Sequence, residues 1–215
     1  MKKIALASAL VAVAVAAPAS AEVFSGPFVG AQISRDAYEV KAKNTDILIG
    51  DLSADGVSAN GVGGGIYAGY DYPVSNSVFI GVEANANLSS ASASAKLTDG
   101  VDAIGGKVRA RESFGLSARL GAMISDSTAL YARGGWQTTK FKLSAFDGAD
   151  NFRAKDTQDA LVYGAGLETR VNSNVSVRVE YLIEDFGSAG LNNNLSTNGI
   201  NVDNNKLSLG VSYRF

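Results

Sequence analysis

Seven charged residues, Glu83, Arg119, Arg133, Glu168, Arg178, Glu180 and Arg214, fall on the polar side of segments in which apolar and polar residues alternate. Carboxylates and guanidinium groups gathered on one face support two kinds of chemistry. Withdrawn from water, they pair and hold a structure together; lining a passage, they carry or gate ions. Composition closes most other routes. The chain has no His, hence no imidazole base, acid or ligand and no Ser-His-Asp triad. It has no Cys, hence no thiolate nucleophile, disulfide framework or thiolate metal site. Asp147 and Asp150 lie close together but lack the spacing of a calcium loop. Gly61 to Gly65 lacks the Lys-Ser/Thr and the strand-to-helix setting of a phosphate-cradling loop. No catalytic constellation, cofactor site or metal site is expected, and the chain reads as a non-enzyme.

The elements that must position the seven charges show a period of two, repeated about eight times. Val62, Ile66, Ala68 and Tyr70 alternate with Gly61, Gly63, Gly65, Tyr67, Gly69 and Asp71; Val78, Ile80, Val82, Ala84, Ala86 and Leu88 alternate with Phe79, Gly81, Glu83, Asn85 and Asn87. Phe114 to Leu120, Leu130 to Trp136, Leu161 to Val171 and Val175 to Ile183 repeat the pattern, always setting an aliphatic or aromatic face against a small or charged one. The first strand, near Phe28 to Ser34, is the least regular, because Phe28 falls on the polar face. The last is the clearest: Leu207, Leu209, Val211, Tyr213 and Phe215 oppose Lys206, Ser208, Gly210, Ser212 and Arg214. With 24 Gly, 3 Pro and no long helical pattern, the chain reads as all-β.

The connections alternate between short turns, at Tyr72 to Ser77, Ile124 to Ser127 and Asn172 to Asn174, and four long segments. The long segments, near Asp36 to Asn60, Ser89 to Gly106, Lys142 to Asp156 and Gly187 to Asn205, are rich in Ala, Ser, Gly, Asn and Asp and read as solvated loops. A meander with one short-turn end and one long-loop end is the arrangement of a transmembrane β-barrel. An eight-stranded antiparallel up-and-down transmembrane β-barrel is therefore expected. A soluble lipocalin-like barrel also alternates, with its aliphatic face inward. Against it stand the glycines, arginines and glutamates of the polar face, which suit a crowded lumen, and the aromatics near strand ends. Tyr70, Tyr213 and Phe215 fall at one boundary, and Phe114, Trp136, Tyr163 and Tyr181 at the other, as interfacial belts do.

The first residues point to export. Met1-Lys2-Lys3 precedes an apolar run from Ile4 to Ala17 that is short for a spanning helix, and Ala19-Ser20-Ala21 is a small-residue cleavage site. Residues 1–21 are expected to be a signal peptide and residues 22–215 one outer-membrane barrel domain. Loss of Lys2 and Lys3 moves the net charge from −2 to about −4, so no basic nucleic-acid footprint remains.

The terminal row Leu207, Leu209, Val211, Tyr213 and Phe215 resembles the signal by which the β-barrel assembly machinery recognises outer-membrane proteins. Leu130-Tyr131-Ala132-Arg133-Gly134-Gly135-Trp136, and Arg178-Val179-Glu180-Tyr181 with the following Asp185-Phe186-Gly187, resemble strand motifs of the small opacity-type, surface-antigen-like and OmpA-like barrels of Gram-negative bacteria, often called porin-like. The resemblance covers roughly Phe24 to Phe215. It implies an eight-stranded monomeric barrel in the cell outer membrane, with lipid and the assembly machinery as partners and extracellular loops as the place for a ligand. The chain stops at Phe215, so the peptidoglycan-binding domain of full-length OmpA-type proteins, and its tethering role, are not expected. An eight-stranded lumen is narrow enough for side chains to fill. Structural pairing is accordingly the expected role of the seven charges, with ion gating as the alternative.

Overall fold

The computed structural model describes residues 23–42, 57–98, 103–147, 150–188 and 200–215. The expected signal peptide lies outside them. Nine strands follow in order: β1 (Gly26–Ala42), β2 (Val57–Pro73), β3 (Val78–Ser89), β4 (Ser92–Thr98), β5 (Ala103–Met123), β6 (Thr128–Asp147), β7 (Asp150–Arg170), β8 (Val175–Ser188) and β9 (Ile200–Arg214). β3 and β4 share one place in the wall. β3 pairs with Glu112–Ala122 of β5 and β4 with Ala103–Arg109 of the same strand, with Ser90 and Ala91 between them. The wall is thus an eight-stranded antiparallel barrel, closed by β1 against β9 and β3 against β5. Closure is obligatory in lipid, which offers no partner for the backbone groups of a free edge.

The alternation settles which face is inside. Ile66 and Leu116 are 66% and 61% exposed on the outer surface, whereas Glu180 and Arg178 are 0% and 1% exposed within. This is a soluble barrel turned inside out, and the outer face is the lipid face. Tyr70, Tyr213 and Phe215 near the short-turn end, and Phe114, Trp136, Tyr163 and Tyr181 farther up, all point outward. The irregular Phe28 is buried in the lumen, where it lies beneath the guanidinium groups of Arg119 and Arg214 at 4.9 and 5.0 Å. Its departure from the apolar face is a lumen contact.

Large inward side chains need small neighbours, and this explains the glycine-rich polar face. A methyl group at Gly30 would collide with the Tyr67 ring. Tyr67 in turn bonds Ser212 across the lumen at 2.7 Å.

The short turns fall where expected, each closed by backbone bonds such as Val74 N–H to Val78 C=O at 2.8 Å and Ile124 N–H to Thr128 C=O at 2.8 Å. The long loops do not. β1 continues to Ala42 and β2 begins at Val57; β4 and β5 fill much of 89–106; β6 and β7 pair as far as Asp147 and Asp150; and β9 starts at Ile200. Those segments read as loops because above the membrane the outward residues, such as Arg35 and Glu39, are as polar as the inward ones. Alternation then fades although the hydrogen-bonded ladder continues. β5 also carries a bulge there: Ala110 pairs with Phe141 and Ser113 with Thr139, leaving Arg111 and Glu112 opposite Lys140.

Candidate functional site

All seven charged residues picked from the sequence lie inside the barrel, and the wall brings them into one connected network. Near the short-turn end, Arg119 donates to both oxygens of Asp71 at 2.9 Å and to Glu168 Oε2 at 2.8 Å. Arg214 donates to Asp71 Oδ2 at 2.8 Å, and Ser176 donates to Glu168 Oε1 at 2.5 Å. One layer up, Glu83 meets Arg178 Nη1 at 2.5 Å and Arg133 Nη1 at 2.8 Å. Glu180 meets Arg133 at 3.2 Å and Arg178 at 3.4 Å, and accepts the Tyr131 hydroxyl at 2.8 Å. A 3.8 Å approach of Arg119 to Glu83 joins the two layers.

Four further charges belong here that the sequence did not assign to the lumen. Asp71 was visible on a polar face but had no evident partner. Glu184 and Lys206 continue the polar faces of β8 and β9 and bond one another, with Asn204 donating to Glu184 at 2.9 Å. Asp36, expected in a loop, lies on inward β1, 3.9 Å from Lys206, and accepts from Ser89 at 2.6 Å. The buried set among the described residues therefore comprises six carboxylates, Asp36, Asp71, Glu83, Glu168, Glu180 and Glu184, against Arg119, Arg133, Arg178, Arg214 and Lys206.

Each end of this network carries an apolar cluster. At the short-turn end Phe24 packs with Phe79, Met123, Ala129 and Tyr131. The chain turns into that mouth at Gly26, whose φ of 85° is a left-handed conformation that favours glycine. Arg214 fixes the segment by donating to the Ser25 and Gly26 carbonyls at 3.1 and 3.3 Å. Toward the other end Tyr38, Ala91, Ala110, Ala160 and Phe186 form a second cluster, with Phe141 edge-on to both Phe186 and Tyr38. None of these ring contacts was foreseen from alternation, which marks a face and not what meets across the lumen.

Among the described residues, two buried guanidinium nitrogens, Arg119 Nη1 and Arg178 Nε, have no hydrogen-bond partner. Both groups lie over rings: Arg178 is 3.4 Å from the Tyr67 centroid and Arg119 is 4.7 Å from that of Tyr131. Cation–π attraction offsets part of their desolvation. Among the described residues there is no group of three or more His, Cys, Asp or Glu arranged to hold a metal ion.

The outer membrane protein beta-barrel domain family matches residues 5–215. The chain belongs to this family. A 31 kDa outer-membrane immunogenic protein of Brucella melitensis biotype 1 is 32% identical over 164 residues, covering 73% of this chain and 64% of the relative. Outer membrane protein A of Klebsiella aerogenes is 35% identical over 101 residues, covering 46% of this chain and 26% of the relative. The chain thus spans less than two thirds of the length of either. Among solved structures, Neisserial surface protein A aligns with a TM-score of 0.49 at 20% identity, covering 89% of this chain and 98% of that one. Family, inside-out burial and closure agree: this is an outer-membrane β-barrel protein.

Proposed function

We propose that this barrel is a monomeric, non-conducting and non-enzymatic component of the outer membrane that supports the envelope and presents its apical segments to the surroundings. The carrying observation is the filled lumen, a network of buried ion pairs with an aromatic cluster at each end. Arg119, Arg133 and Arg178 each bridge two or three carboxylates, so ion passage requires several buried pairs to break at once. Each pair left open in a low-dielectric interior costs several kcal/mol. The expected result in planar bilayers is no steady conductance from the purified protein, and liposomes containing it swell no faster than protein-free ones. Glu83→Gln and Glu180→Gln are each expected to leave that baseline unchanged. A steady conductance that shifts in either variant would overturn this reading in favour of a small porin passing ions or solutes through a gated lumen. Hydrolysis of lipid or peptide by the purified protein would overturn its non-enzymatic part. An extracellular ligand, if one is bound, is assigned to the apical segments, since recognition concentrates on loops carried by a rigid scaffold.

The outward row Leu207, Leu209, Val211, Tyr213 and Phe215 is assigned to recognition by the assembly machinery. Its support is that all five side chains are exposed, four on the lipid face of β9 and Phe215 just after it, with Tyr213 and Phe215 edge-on at 5.1 Å. Phe215→Ala is expected to lower the fraction of protein assembled in cells while leaving refolding of the purified chain into detergent unchanged. Equal assembly of variant and parent would remove the assignment.

A further inference from the structure

The two ends of the chain meet at the short-turn mouth. The β1–β9 ladder runs down to Phe28 opposite Arg214, and just beyond it the Phe215 N–H donates to the Pro27 carbonyl at 3.1 Å. Before Gly26 the chain leaves the wall: Val23, Phe24 and Ser25 are not part of a strand, Val23 is half-buried against the cluster at the mouth, and Phe24 is fully buried within it. The Phe24 ring lies 5.8 Å from that of Phe79, with the guanidinium groups of Arg170 and Arg214 over it at 4.4 and 4.9 Å. Arg214 is shared. Besides the Ser25 and Gly26 carbonyls, it serves Asp71 of the lowest charged layer and stands 5.0 Å from the Phe28 ring. One side chain of the last strand thus joins the segment before β1, β1 itself and the ion pairs of the lumen.

The order in which these contacts form follows from where their groups come from. The pocket around the Phe24 ring is built by Phe79 of β3, Met123 of β5, Ala129 and Tyr131 of β6, Arg170 of β7 and Arg214 of β9. Side chains from five strands converge on one ring only when the wall has closed on itself, and Arg214 reaches Ser25 across 189 positions of sequence. Contacts of such separation contribute only after the intervening chain has been brought together. The β1–β9 seam has the complementary weakness. Strand ends fray first, and in lipid a separated seam exposes backbone groups that find no partner. We propose that residues 23–26 are a latch, docked last onto the finished barrel, which closes the short-turn mouth and holds the first and last strands together through Arg214.

A latch acts on the exit from the folded state, because contacts absent from the folding transition state alter the unfolding rate and leave the folding rate alone. The test follows folding and unfolding of the purified chain in lipid vesicles through Trp136 fluorescence after jumps in urea. Phe24→Ala is expected to unfold at least about tenfold faster, with a folding rate within about twofold of the parent's. Gly26→Ala keeps the ring but strains the left-handed turn that aims it, and is expected to show the same split at smaller amplitude. If Phe24→Ala does not fold, Phe24→Leu is read instead, with unfolding about threefold faster. The chain has no cysteine, so Ala129→Cys in the Phe24 cluster and Ala160→Cys in the cluster toward the other end report the two mouths separately. Adding Phe24→Ala is expected to speed labelling of Ala129→Cys by a water-soluble maleimide at least about tenfold, a local opening, and to leave labelling of Ala160→Cys unchanged. An unchanged unfolding rate, or folding slowed as much as unfolding is sped, overturns the proposal, the latter by placing the segment in the folding nucleus. Rapid labelling of Ala129→Cys while Phe24 is present, or faster labelling at both ends in Phe24→Ala, overturns it equally.

Discussion

Arg178→Ala is expected to lower the unfolding free energy of the barrel in lipid vesicles by about 3–5 kcal/mol, the cost of removing one member of a buried ion pair. Arg178 is the busiest cation of the middle layer. It reaches Glu83 through both terminal nitrogens, donates to Gln32 at 3.0 Å, stands 3.4 Å from Glu180 and covers the Tyr67 ring. Its loss leaves Glu83 with Arg133 and a distant Arg119, and Glu180 with Arg133 and Tyr131, in a lumen where alanine supplies neither charge nor volume. Arg178→Lys is expected to recover only part of the loss, because an ammonium point charge cannot reproduce the planar fork or its stacking on Tyr67. Trp136, the single tryptophan, stands on the lipid face and reports unfolding by its fluorescence in a urea titration. A double-mutant cycle with Glu83→Ala adds a sharper criterion. The double variant should lose less than the sum of the singles, since each single change leaves a charge that the double change removes. Additive losses, or a loss from Arg178→Ala below about 1 kcal/mol, would mean that the lumen is hydrated and its pairs only weakly coupled.

Alternation alone placed Glu83, Arg119, Arg133, Glu168, Arg178, Glu180 and Arg214 on one face, because a strand presents successive residues to opposite sides. Closure into a barrel then makes that face the interior. What alternation does not carry is the choice of partner. Asp71 meets Arg119 across 48 positions of sequence and Arg178 meets Gln32 across 146, and such pairings depend on strand register, which no local pattern encodes. Asp36 escaped for a different reason. It sits where β1 leaves the lipid, and beyond that level outward residues such as Arg35 and Glu39 are as polar as inward ones, so the ladder continues without its signature. The same loss of contrast concealed the strands running through 92–98 and 103–110. The aromatic clusters around Phe24 and Phe186 were hidden because an inward aromatic breaks the pattern as a sequence sees it. Phe28 looked like a fault in the first strand for that reason.

Val179→Arg is expected to cost about 2–4 kcal/mol, the penalty for a cation on the lipid face near the bilayer midplane. Val179 lies between Arg178 and Glu180, both buried, and is itself 47% exposed on the outside of β8, midway along a lipid-facing row from Val175 to Ile183. Arginine at position 178 therefore holds the barrel together, while arginine at position 179 would face hydrocarbon with no carboxylate within reach. The two positions share a strand and a depth and differ in which side of the wall their side chains leave. Val179→Leu keeps the face apolar and is expected to change stability by less than about 1 kcal/mol, separating the charge effect from any effect of size. The readout is again the urea midpoint followed through Trp136 in vesicles, together with the fraction that keeps its heat-dependent gel migration. In a water-soluble barrel the outer position would tolerate arginine. Equal stability of Val179→Arg and the parent would therefore contradict the assignment of the apolar face to lipid, and with it the reason that the charges of this chain are buried at all.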